Sequence, residues 1–447
     1  MADLTITPAS GPLRGIVPGP PDRATAELGL LLAALAAPGA TSRLWGKGLA
    51  ALEAPRLLAQ LGVAVAPIED GYEVSGVGPS GLVVTDTLAL PRSPWLAAAT
   101  LGVLAGAGIA CRLEGLSGSP QVLALVAQTL RQRGAQIEGR FDPRDPSALH
   151  PPLVLEAASA PLAEQLVAPS PFPAKVAALA SGLFAAGPTY VDEPVLASDR
   201  FERLLGAMGL AVDGVGAVRR LSRPASEPLA LSSPVPASPD ASLALLAAGL
   251  GVAQSQVGVR GIALGPAHLG ALKALERSGA SLRIEARETR CGLPTADVTI
   301  LAGPRRGLDL EGELASASGA SLPTLLALAA TASTDPGGRV GNAPPSVLSD
   351  PVAEIERPGR TRGTLALARA FGLAAEAEPG RLVLLGGPLV GATFDPEGDP
   401  AVAMAACALA LAAKGPTTLR HADCIVESAP RFVGSLRALG AQLEVRP

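Results

Sequence analysis

Four cations stand where a chain could gather an anion: Arg23, Arg92, Lys175 and Arg362. Guanidinium and ammonium groups clamp phosphate and carboxylate oxygens through charge-assisted hydrogen bonds. Together the four could line a site for a phosphorylated or carboxylate small molecule. Each taken alone is equally a solvated surface charge. Arg23 stands apart because it opens a helix, where unpaired backbone N–H groups add to its charge. Asp22, just before it, reads as the cap of that helix. Glu427 could serve as an acid or base, or simply face solvent. His150, His268 and His421 show neither triad nor metal spacing and read as loop residues. Cys111, Cys291, Cys407 and Cys424 are far apart, with no C-x-x-C pair, and read as small core residues or free thiols. No metal site is expected, and a reduced, cytoplasmic setting is. The chain lacks G-x-x-x-x-G-K-[ST], a G-x-G-x-x-G between strand and helix, and G-x-S-x-G. Neither a nucleotide cofactor nor a serine nucleophile is expected.

The 447 residues exceed one ordinary core and suit two large domains. Hydrophobic residues make up 48% and aromatics only 2%, so helices must pack closely through Ala, Leu and Val. The net charge of −4, without a basic block, argues against nucleic acid or an anionic membrane as partner. The Ala/Leu runs are cut by Gly, Pro or charge before about 18–20 residues, so buried helices are expected rather than membrane spans. The N-terminus carries no charged-then-apolar signal pattern.

One unit recurs six times. A charged, amphipathic helix ends at Gly and runs into a strand at Gly62, Gly134, Gly209, Gly279, Gly372 and Gly440. Glycine takes the left-handed conformation of a helix C-terminus without steric cost. Alternating with these are six Ala/Leu-rich helices, among them WLAAATLGVLAGAG and AVAMAACALALAAKG. A helix apolar on every face is buried on every side. Three repeats in each of two domains is the natural grouping. Pro-rich stretches at Gly15 to Pro21 and Leu229 to Pro239 mark the crossings.

Several segments, in order, resemble the 5-enolpyruvylshikimate-3-phosphate (EPSP) synthase family. PPDRATAELGLLLAALA is similar to that family's PGDKSISHRALLLAALA, and PFPAKVAALASGL to its S-A-Q-V-K-S-A-L-L-L-A-G-L stretch. SDRFERLLGAMGL resembles R-D-H-T-E-R-M-L, and LPTLLALAA the helix after D-E-x-P. GDPAVAMAACALALA resembles the D-H-R-x-A-M helix, and ADCIVESAPRF the closing C-x-x-K-S-F-P-x-F segment. The resemblance implies an α/β fold: a two-domain inside-out α/β barrel of six βαβαββ-type repeats. One domain would span residues 20–232, the other residues 1–19 with 233–447. It further implies transfer of the enolpyruvyl group of phosphoenolpyruvate to shikimate 3-phosphate in a cleft lined by cations, with a carboxylate base and an acid.

Most of the implied site residues are replaced. The first-helix lysine aligns with Arg23, its serine with Ala24 and its arginine with Leu28. The G-N-x-G-T turn aligns near Pro91, Arg92, Ser93, Pro94 and Trp95, and the arginine after it near Ala98. S-A-Q becomes Pro171, Phe172 and Pro173, and the arginine of R-P-M falls near Gln121. D-E becomes Ala320 and Ser321, with Pro323 kept. K-E-S-D-R aligns loosely with Pro358, Gly359, Arg360, Thr361 and Arg362. Asp399 and Met404 of D-H-R-x-A-M remain, while Pro400 and Ala401 replace the histidine and arginine. The closing lysine becomes Glu427, beside a retained Ser428. Substrate contacts are therefore sought at Arg23, Arg92, Lys175, Arg362, Asp399 and Ser428. Losing one electrostatic group of such a site typically costs ~10²–10³ in rate. The first expectation is a pseudoenzyme with a binding or regulatory role and an unknown protein partner. The alternatives are an active 3-phosphoshikimate 1-carboxyvinyltransferase with a displaced site, and a binder or transferase for another anionic metabolite.

Overall fold

The computed structural model describes all residues except 1, 50, 51, 85, 86, 117, 158–165, 168–171, 194–197, 216, 217, 223–226, 304–306, 312–321, 334–344, 350–358 and 447. Among the described residues the strands form six four-stranded sheets. One repeat runs through the strand Thr87–Ala89, the helix Pro94–Gly106, the strand Cys111–Glu114, the helix Pro120–Gln132 and a hairpin of Ile137–Asp142 with Asp145–Leu155. The first two strands are parallel and the hairpin closes antiparallel onto the second.

Chain crossings complete two of the other sheets. Ser232–Pro234 lies parallel to Thr41–Trp45, and Arg14–Pro18 parallel to Gln256–Ala263. The strand Asp3–Thr7 lies between Thr417–Leu419 and Gln442–Arg446 in the last sheet. The chain divides into two compact units. One is Arg23–Val235 with Arg290–Leu293; the other is Met1–Asp22, Pro236–Thr289 and Pro294–Pro447. The expected boundaries at 19/20 and 232/233 lie three residues before these. The turn at 290–293 was not foreseen in the first unit. It belongs there because Cys291 N–H donates to Ser233 Oγ at 2.8 Å, and Gly292 sits so close to the Arg203 carbonyl that a Cβ would lie 2.1 Å from it.

Each glycine stop is in the left-handed region, with φ between 75° and 104° at Gly62, Gly134, Gly209, Gly279, Gly372 and Gly440. The apolar helices form the two cores. Leu96–Ala105, Ala241–Gly251 and Ala401–Leu411 are buried without a break. Small residues let their backbones touch: a Cβ on Gly102 would lie 2.5 Å from the Ala177 carbonyl.

A second sixfold feature was invisible in the linear pattern. At the start of the second strand of each repeat stands Ser42, Cys111, Thr189, Ser255, Ser346 or Thr417. Four of these hydroxyls accept the N–H of the residue opposite on the parallel strand. Ser42 takes Leu231 at 3.0 Å, Ser255 takes Leu13 at 2.8 Å, Ser346 takes Leu308 at 3.0 Å and Thr417 takes Ala392 at 3.3 Å. Each hydroxyl satisfies a backbone donor that would otherwise enter the core unpaired. Ser346→Ala should therefore cost about 1–3 kcal/mol, because the buried Leu308 N–H loses its acceptor. Urea unfolding of that variant measures this; a loss too small to resolve would contradict the role.

Candidate functional site

The starts of the helices are where anions should bind, because their N–H groups point outward unpaired. In the first unit the protein's own carboxylates take these places. Arg23 opens the helix Arg23–Ala34, and its Nε donates to Glu27 Oε1 at 3.2 Å. Glu27 is fully buried and also accepts Glu53 N–H at 2.9 Å and Ala54 N–H at 3.0 Å, at the start of the helix Ala54–Gln60. Burial pushes its carboxyl above the usual range, against the pull of those N–H donors and of Arg23. Glu53 in turn accepts Arg92 N–H at 2.7 Å and Ser93 N–H at 3.4 Å, where the helix Pro94–Gly106 begins. The contribution of Arg92 here is its backbone; its side chain is exposed. Leu28 and Pro173 are buried, and Ala24 is half-buried. A shallow surface dent lies nearby, lined by Pro91, Arg92, Ser119 and Val122 among others.

Lys175 is committed elsewhere. It is fully buried on the helix Phe172–Gly182, where its Nζ donates to Glu193 Oε1 at 2.7 Å and to the Ser198 carbonyl at 2.8 Å. Glu202 Oε1 is also 2.7 Å away and forms a second ion pair with the ammonium. Arg219 Nε reaches the second oxygen of Glu193 at 3.0 Å. Two cations and two carboxylates thus balance inside one unit. Burial alone pulls the Lys175 ammonium down, but Glu202 and Glu193 outweigh it and hold its pKa above the ordinary lysine value. Burial raises the Glu202 carboxyl against the pull of Lys175. The expected role of Lys175 as an anion ligand is corrected by this geometry: the ammonium has no open face to offer.

In the second unit Asp399 is a buried helix cap. Its Oδ1 accepts Ala401 N–H at 2.9 Å and Val402 N–H at 3.4 Å, at the start of Pro400–Ala412. Its Oδ2 accepts Arg360 Nε at 3.0 Å. Arg360 opens the helix Arg360–Ala370, so one ion pair joins two helix starts. Arg362, the cation expected here, is exposed, and its Nη2 is 3.9 Å from an equally exposed Glu397. The two arginines are two residues apart, and only the Arg360 side chain is drawn in, against Asp399. Ala401 is buried, Glu427 exposed and Ser428 half-buried. Ala320 and Ser321 lie outside the described residues.

Two of the three histidines depart from the loop reading. His150 is in the strand Asp145–Leu155 and His268 in the helix Pro266–Arg277. His421 is in a turn with φ of 52°, and its Nδ1 is 2.6 Å from Asp395 Oδ2. All four cysteines are free and buried, and burial pushes the Cys111 thiol up to about 11. Among the described residues no group of three His, Cys, Asp or Glu could hold a metal ion, and no helix is long and apolar enough to cross a membrane.

Two apolar helix bundles, six four-stranded sheets and a glycine stop in each repeat define the architecture. The family model for EPSP synthase (3-phosphoshikimate 1-carboxyvinyltransferase) matches residues 8–436. The chain belongs to the EPSP synthase family. It is 33% identical to the 3-phosphoshikimate 1-carboxyvinyltransferase of Gloeobacter violaceus, covering 98% of this chain and 99% of that protein. Its identity to the protein of the same name from Shouchella clausii is 30%, over 85% of this chain and 86% of that one. EPSP synthase from Acinetobacter baumannii superposes with a TM-score of 0.81 over 100% of both chains, at 20% identity. The enolpyruvyl transferase NikO from Streptomyces tendae does so with a TM-score of 0.71, at 17% identity, over 100% of this chain and 99% of that one. The fold is therefore the enolpyruvyl transferase fold. Within this EPSP synthase family member, sequence reasoning missed Glu27 and Glu53, and of the two aligned arginines it chose Arg362 over Arg360. The spacing of Arg23 and Glu27, four apart at a helix start, was the one available signal.

Proposed function

We propose that this chain keeps the EPSP synthase scaffold without the family's carboxyvinyl transfer, and serves as a binding or regulatory protein. The observation that carries this reading is the occupation of helix starts by internal carboxylates, Glu27 and Glu53. An incoming phosphate would meet donors already paired and a carboxylate of its own sign. The replacements at Leu28, Ala401 and Glu427 remove further cations. A cytoplasmic setting belongs to the same proposal.

A second reading is favoured by the comparisons: an active 3-phosphoshikimate 1-carboxyvinyltransferase, the name its relatives carry over nearly their whole length. Ligand-dependent stability separates the two. A ligand at 100 times its dissociation constant adds ~2.7 kcal/mol to the folded state. Thermal unfolding is expected to be unchanged by millimolar phosphoenolpyruvate with shikimate 3-phosphate. A clear rise in Tm with both together would favour the second reading.

A further inference from the structure

We draw no further inference here: the strongest candidate, the buried guanidinium of Arg133 at the end of the helix Pro120–Gln132, donates to Thr189 Oγ1 at 3.0 Å and leaves Nε and Nη1 without an acceptor, but it lines no described cavity and nothing in the structure shows what would cover those two donors.

Discussion

Replacing Lys175 by methionine should lower the free energy of unfolding by about 3–5 kcal/mol, the usual cost of breaking a buried ion pair from one side. The loss is large because of what remains. Glu193 and Glu202 would face each other without the ammonium between them, Arg219 still pairing with Glu193. The double variant Lys175→Met with Glu202→Gln removes one charge of each sign and should recover part of the loss. Urea unfolding of the single and double variants measures both. The pH dependence has a definite sign. Glu202 has a raised pKa in the folded state, so its proton uptake favours folding as pH falls through that value. The deficit of the single variant should therefore shrink in mildly acidic buffer. Lys175 also has a raised folded pKa, so what it contributes is present through neutral pH and is lost only as pH rises through that raised value. A single variant as stable as the wild type would show that Lys175 is not the hub of this cluster.

Asp399→Ala should cost about 3 kcal/mol, the sum of a lost helix cap and a stranded, nearly buried arginine. Asn is as good a cap as Asp but cannot pair with a guanidinium charge. Asp399→Asn should therefore lose less than the alanine variant, and Arg360→Met combined with it should lose no more than Asp399→Asn alone. Chemical denaturation of the three proteins tests this partition. Equal losses in the alanine and asparagine variants would mean that the cap contributes nothing and the ion pair everything.

The sequence made the repeat plain because its signals are local. A helix buried on all sides must be apolar on all faces, as Ala401–Leu411 is, and a left-handed helix end favours glycine, as at Gly209. Both rules act within a few residues. The partners of Lys175 lie 18 and 27 residues away in sequence, at Glu193 and Glu202, and no local pattern joins them. A buried ammonium and a solvated one look alike in a string of letters. Arg360 and Arg362 illustrate the same limit on a smaller scale. Two residues apart, they point to opposite sides of one helix, and the loose alignment could not choose between them. The hydroxyl at Ser42 and its five counterparts escaped notice because Ser, Thr and Cys alternate there and the acceptor role depends on strand register. What the sequence did expose is that Leu28 and Ala401, aligned with arginines of the family's motifs, carry no charge wherever they fold. What it could not expose was the placement of Glu27 and Glu53 against backbone N–H groups at helix starts.

Phosphate release from shikimate 3-phosphate and phosphoenolpyruvate supplied together decides whether this scaffold performs its family's reaction. No release above a protein-free control is expected, from protein shown by circular dichroism to be folded. Turnover in the ordinary enzyme range, on the order of 1–10³ per second, would contradict the non-catalytic reading and would mean that donors other than those paired with Glu27 and Glu53 hold the substrates.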